Sequence, residues 1–347
     1  MMEKTSALAV VPKARAIFSR RLSRGEYLEL MRRRTVTELA SYLKTHPYFK
    51  DSLKLMPTKD LHRAQLESML THDIFIKYHS LLRYDFSKDS FSKYILTEAE
   101  TTQILEALRL IAVGQHEDYI TKMPAYLQSK LSFDLMRLAK ANTFKEVMEV
   151  LQHTPYYKVL MPIYHEDEHL TNLPALECAM LTYYYQTVLQ LIHKTFKGRE
   201  QEEVSQLFLQ EAELYNLSLI FRVKTFFPNE YTPEALYALL LPISYKISAR
   251  KLKELTSAAN TTALDSMFRN LGLPRYFSQL QNGHTAPTEF NPLYGQAISL
   301  LHFTTSPAAA LAAFMCFAKQ ERNNIINVIE GVRYGLAPEE IERLLHI

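Results

Sequence analysis

Apolar residues recur at i, i+3, i+4 and i+7 in segment after segment of this chain, and period-two alternation is absent over any useful length. That spacing lines one face of a helix and predicts an all-α fold. A tyrosine-aromatic pair closes the same helical pattern three times, at Tyr48-Phe49, Tyr156-Tyr157 and Tyr276-Phe277. Five positions before each first tyrosine stands Leu43, Leu151 or Leu271, and nine positions before it Leu39, Val147 or Met267. Two copies match more closely. Leu30-Met31-Arg32 and Leu135-Met136-Arg137 open them, with Thr35 and Thr143 at the same distance from the tyrosine. A second helix follows in register at Leu66-Glu67 and Leu176-Glu177. A later helix sets an acidic residue three before an amide, Glu100 with Gln103, Glu213 with Asn216 and Glu321 with Asn324, each ahead of an apolar stripe.

The pattern predicts three similar helical units, at 1–125 (its repeat opening near residue 13), 126–243 and 244–347. Prolines fall where the periodicity breaks and mark helix ends. Three long copies fit two architectures, an α-solenoid with a concave surface that binds a helix or peptide, or a body closed around a pseudo-threefold axis with a central hollow. The units exceed the usual solenoid repeat of about 20 to 50 residues, which favours closure.

Composition narrows the function. With 347 residues and 47% hydrophobic content the chain can bury a sizeable core. A balance of 40 basic to 37 acidic residues predicts no nucleic-acid partner. The crowded Arg15, Arg20, Arg21, Arg24, Arg32, Arg33 and Arg34 read as the solvated face of helices. Cys178 and Cys316 are expected as small buried hydrophobes without a disulfide, in a reducing compartment. The first ten residues lack a signal-peptide core, so a cytosolic protein is expected. Residues 298–318 carry no charged side chain but hold Ser306-Pro307 at their middle. They read as two buried helices, and no direct transmembrane span is expected.

Candidate chemistry is sparse. The isolated glycines form neither GxGxxG nor GxxxxGK[ST], which argues against nucleotide hydrolysis. His165, Glu166 and His169 could in principle share a metal on one helix face, but the run follows Pro162 in a polar connection and reads as a solvated acidic loop. No Ser, Cys or Lys has a nucleophile's context, and Tyr183-Tyr184-Tyr185 reads as core and interface. The expectation is no catalytic residue, no cofactor and no metal.

Two segments are more individual. Glu213 to Lys224 runs on to LLPIS, and Glu321 runs through Gly331, Arg333 and Gly335 to a proline-containing turn. With the opening Lys13-Ala14-Arg15, Arg21-Leu22 and Tyr27 to Leu30, they resemble the C subunit of V-type and A-type rotary ATPases, the family that includes the d subunit of the eukaryotic V-ATPase. The first copy departs from the pattern, with Arg109 but no following lysine, and LLPIS stands where many members have proline then glycine. The resemblance implies a funnel of three similar subdomains around a cavity. It further implies a non-catalytic central-rotor subunit on the cytoplasmic side of the membrane, linking a central shaft of D and F subunits to the membrane proteolipid ring that moves H⁺ or Na⁺. Arg222, Lys224 and Arg333, at polar helix ends, are the candidate contacts with acidic partner segments or ring loops. Helix C-termini stabilised by nearby cations account for the same residues.

Overall fold

A computed structural model describes residues 9–54, 63–83, 91–165, 172–272, 292–345 and 347. All regular structure among them is helical. The first copy contains α1 (Val10–Phe18), α2 (Arg24–Met31), α3 (Val36–Thr45), α4 (Arg63–Leu82), α5 (Tyr94–Ala112) and α6 (Glu117–Lys122). The second contains α7 (Leu135–Ala139), α8 (Phe144–Leu151), α9 (Pro155–Leu160), α10 (Leu173–Thr195), α11 (Gly198–Phe226) and α12 (Pro233–Ala238). The third contains α13 (Ala249–Thr256), α14 (Thr261–Asn270), α15 (Pro292–Phe303), α16 (Pro307–Arg333) and α17 (Pro338–Glu342).

Local chemistry explains where these helices begin. Thr35 and Thr143 are N-caps, each hydroxyl accepting from the amide three residues on, Glu38 N and Glu146 N, at 3.2 Å. Each capped glutamate reaches back to an amide before the cap, Arg34 N at 3.0 Å and Asn142 N at 2.6 Å. Such a cap satisfies backbone donors that the helix cannot and is worth about 1 kcal/mol. Several prolines occupy the first turn, at 155, 174, 233, 307 and 338. There the missing N–H costs nothing.

Four and eight residues beyond each threonine cap the side chains are fully buried, Leu39 and Leu43, then Val147 and Leu151. In the third copy Asn260 stands in the cap position, its Oδ1 accepting from Ala263 N at 2.8 Å, and the buried pair is Leu264 and Phe268. Met267 and Leu271 are only half-buried, so the third stripe lies three residues earlier than tyrosine spacing places it. Tyr48, Phe49 and Tyr156 are buried and Tyr157 half-buried. Tyr276-Phe277 lies outside the described residues.

The chain divides into two compact units. One comprises Met1–Ser90, Gly198–Leu207 and Asp265–Ile347, the other Phe91–Lys197 and Phe208–Leu264. In the first unit α16, from the third copy, packs on α1, α2, α3 and α4, all from the first, as well as on α15. In the second unit α5, from the first copy, packs on α7, α8 and α10 of the second. The long closing helix of one copy thus lies among the helices of another. Within the first unit Phe18 and Tyr48 meet Phe317 edge-on, with centroids 4.7 and 6.4 Å apart. Aromatic pairs of this geometry add about 1 kcal/mol beyond the area they bury.

The uncharged run at 298–318 is two helices, α15 and α16, separated at Ser306-Pro307. Ser306 caps α16 by accepting from Ala309 N at 3.0 Å. Among the described residues no helix is long and apolar enough to cross a membrane. Arg15 departs from the solvated-face expectation. It is half-buried and its guanidinium donates to Leu301 O and Thr304 O, both at 2.8 Å, satisfying carbonyls at the end of α15. Arg20, Arg21, Arg24 and Arg32 to Arg34 are exposed. Both cysteines are free and half-buried rather than enclosed.

Candidate partner interface

The three closing helices, α5, α11 and α16, carry the Glu-x-x-amide signature inward. Glu100, Glu213 and Glu321 are all buried, as are the stripes Ile104-Ala107-Leu108, Leu217-Ile220-Phe221 and Ile325-Val328-Ile329 behind them. A buried carboxylate must be hydrogen-bonded to be tolerated. Glu100 accepts from Tyr156 Oη at 2.7 Å and from the amide of Ser132, shortly before α7. Glu213 accepts from Ile247 N at 2.7 Å, the residue before the Ser248 cap of α13. In both cases the closing helix holds the backbone that opens the next copy. Asn216 adds a two-way clasp, its Nδ2 donating to Leu241 O at 3.0 Å and its Oδ1 accepting from Leu241 N at 2.8 Å.

Glu321 has a different environment. Its Oε1 accepts from Tyr294 Oη at a long 3.4 Å, and Oε2 has no hydrogen bond among the described residues. Burial pushes its carboxyl up to about 7, against the hydroxyls of Tyr27 and Tyr294 and the charges of Arg21 and Lys77, which hold it down. Burial also raises Glu213, opposed by the amides of Ile247, Lys246 and Tyr245. Nearby, Lys77 is buried against Asp73, with its ammonium 3.3 Å from the Tyr48 ring centroid and 4.6 Å from that of Phe49. The first aromatic pair is thus a cation-π floor. Burial lowers Lys77 to about 8.

The outer ends of the closing helices differ in charge. Nine positions beyond the three glutamates stand Arg109, Arg222 and Glu330. Arg109 pairs with Glu177 at 3.1 Å. Arg333, exposed, lies 3.8 Å from Glu330 with its guanidinium 5.4 Å from the Tyr334 ring centroid. Arg222 is exposed and Lys224 half-buried, and neither has an ion pair or side-chain hydrogen bond among the described residues.

Thirteen positions beyond each glutamate the helix ends in an exposed large apolar side chain, Val113 at 63%, Phe226 at 48% and Tyr334 at 68%. Periodicity gives no warning of these, since a single apolar residue past the stripe is ordinary. Only alignment on the glutamates brings them together. Gly114 and Gly335 follow two of them with φ of 70° and 69°, closing their helices with bonds from Gln115 N to Leu110 O and Leu336 N to Gly331 O. Only glycine takes that backbone without strain.

No group of three or more His, Cys, Asp or Glu side chains among the described residues is placed to hold a metal ion. Of the candidate run at 165–169 only His165 is described, and it is exposed.

The ATP synthase (C/AC39) subunit family matches residues 10–344, and the chain belongs to it. Among curated proteins it is similar to the A-type ATP synthase C subunit of Methanocaldococcus jannaschii, 23% identical over 76% of this chain and 68% of that protein. It is likewise similar to the A-type ATP synthase C subunit of Methanosarcina mazei, 22% identical over 97% of this chain and 92% of that one. The protein is therefore a structural rather than catalytic subunit of a membrane-associated A/V-type ATP synthase complex.

Proposed function

We propose that this chain is a central-rotor subunit, a socket that couples the shaft formed by D and F subunits to the membrane proteolipid ring on the cytoplasmic side during H⁺ or Na⁺ transport. The closing helices carry this reading. The inner faces of α5 and α11 hold the backbone that opens the next copy through buried Glu100 and Glu213, and Asn216 clasps Leu241, while the outer ends of the closing helices present cations and exposed apolar side chains. A torque-transmitting adapter needs stiffness inside and mixed polar and apolar contacts outside. Three helical lobes, at 1–125, 126–243 and 244–347, would give such a socket its hollow. Arg222, Lys224 and Arg333 are its proposed contacts with acidic partner segments. Gentle detergent purification of the tagged chain from its own membranes tests the reading. Shaft and ring subunits are expected to co-purify in fixed ratio, and recovery of the chain without them would sink the proposal.

A further inference from the structure

The second unit contains an open cleft of ≈ 450 Å³ between the C-terminal halves of α5 and α11 and the start of α10. Its apolar lining includes Leu105, Leu219 and Val223, all buried, and Phe227, still 42% exposed. On one side the charges cancel, since Glu177 takes Arg109 at 3.1 Å and the Tyr215 hydroxyl at 3.3 Å. Arg222 also lines the cleft and has no carboxylate within ion-pair distance among the described residues, and Lys224 follows on the same helix. Glu230, on the loop after α11, is the one lining carboxylate outside the Arg109 pair. Outside the Arg109–Glu177 pair the lining thus carries one cation, Arg222, and one carboxylate, Glu230, with Lys224 adding a further cation to this helix end outside the lining, and the position corresponding to Arg222 in the third copy is the acidic Glu330.

We propose that this cleft is a docking site for an amphipathic segment of another rotor subunit, one that places a carboxylate on Arg222 and apolar side chains against Phe227 and Leu219. The proposal rests on the socket reading and deepens it. A guanidinium presents a planar fork of donors that a carboxylate meets with two parallel bonds. The adjoining aromatic surface supplies the apolar anchor typical of protein interfaces. Val113 and Tyr334 are more exposed than Phe226, but beside them Arg109 and Arg333 already have carboxylate neighbours.

The test uses the full chain expressed with the whole rotary complex, carrying the photoreactive amino acid benzoylphenylalanine in place of Phe227. Irradiation of the purified complex is expected to join it to one peptide of another rotor protein, with Asp or Glu beside apolar residues. Arg222→Glu should lower that yield roughly tenfold, and Arg222→Lys should retain most of it. The same reporter in place of Phe303, which is 81% exposed in the other unit, should give a yield indifferent to residue 222. A circular-dichroism melt confirms that each variant is folded. An adduct peptide without a carboxylate, a yield unchanged by Arg222→Glu, or no adduct in a complex that contains the chain would overturn the docking site and leave the socket reading standing. A chain recovered without any other rotor protein would overturn both.

Discussion

Glu213 and Glu321 occupy the same position of two copies, both are buried, and their surroundings differ in kind. The carboxylate of Glu213 meets backbone amides and ties down the chain that leads into α13. That of Glu321 meets tyrosine hydroxyls, one oxygen lacking any hydrogen bond among the described residues. A backbone N–H cannot leave its place without distorting the chain, so it makes a firm partner for a buried anion. A tyrosine hydroxyl at 3.4 Å compensates desolvation poorly, and the proton stays on the acid up to about pH 7. One glutamate fastens; the other is tolerated as a neutral acid.

Substitutions at and around these positions test the difference. Asn216→Ala has the largest expected effect. It strands the N–H and C=O of Leu241, both bonded to a side chain with no solvent exposure, and should cost about 4 kcal/mol in urea denaturation. Glu321→Gln should act in the opposite direction. A carboxyl raised from 4.5 to about 7 keeps in the folded state a proton that the unfolded chain releases, so stability falls as pH rises from about 4.5 to about 7 and is level above that. Removing that titration should flatten this limb and raise stability by up to ~3 kcal/mol at pH 8. Glu213→Gln, which turns an amide NH₂ toward amide donors, should instead destabilise by about 2 kcal/mol. Equal signs for the two glutamine variants would break the comparison.

Smaller effects are expected at the helix ends. A Cβ on Gly331 would stand 2.5 Å from Ile341 Cγ1, so Gly331→Ala should force α17 away from α16 and lower stability by about 1.5 kcal/mol, read as a fall in Tm. The equivalent positions of the other copies, Leu110 and Val223, show that no general rule of the repeat demands glycine there. Gly114→Ala and Gly335→Ala should each cost about 1 kcal/mol through backbone strain at positive φ. Both glycines meet nothing within 4 Å of an added Cβ, so a much larger loss at either would show that something besides strain is at work.

Much of the helical framework is legible in the residues alone. The apolar stripes of α3, α8 and the three closing helices are buried as their spacing requires, and the uncharged run at 298–318 breaks at Ser306-Pro307. Thr35 and Thr143 are visible as repeat markers in the sequence, and the structure gives them their function as caps. The third copy misleads because its stripe, counted back from Tyr276, falls on the wrong residues, whereas burial follows the cap at Asn260. A cap and the stripe above it are tied by helix geometry, whereas the stretch of sequence between stripe and tyrosine is free to vary and is three residues longer in this copy. Of the candidate contacts, Arg222, Lys224 and Arg333 are conspicuous as charges at helix ends. The chain separates Arg222 from Arg109 by the lysine that follows only the former, but not by pairing, because Glu177, which neutralises Arg109, is 68 positions away.

By itself, then, the sequence determined the helical class, the apolar faces that are buried, the break at Ser306-Pro307 and the family likeness. All of these depend on spacings of three, four or a few residues, which the geometry of a single helix imposes. Only the tertiary structure decided which helices each closing helix lies against, which buried glutamate receives amides and which remains a neutral acid, and which cation is left for a partner. Those outcomes turn on contacts between residues 25 to 300 positions apart, such as Asn216 with Leu241 and Arg15 with Leu301. No local period encodes such a pairing; it is set by which packing buries the most apolar surface while leaving the fewest polar groups without partners.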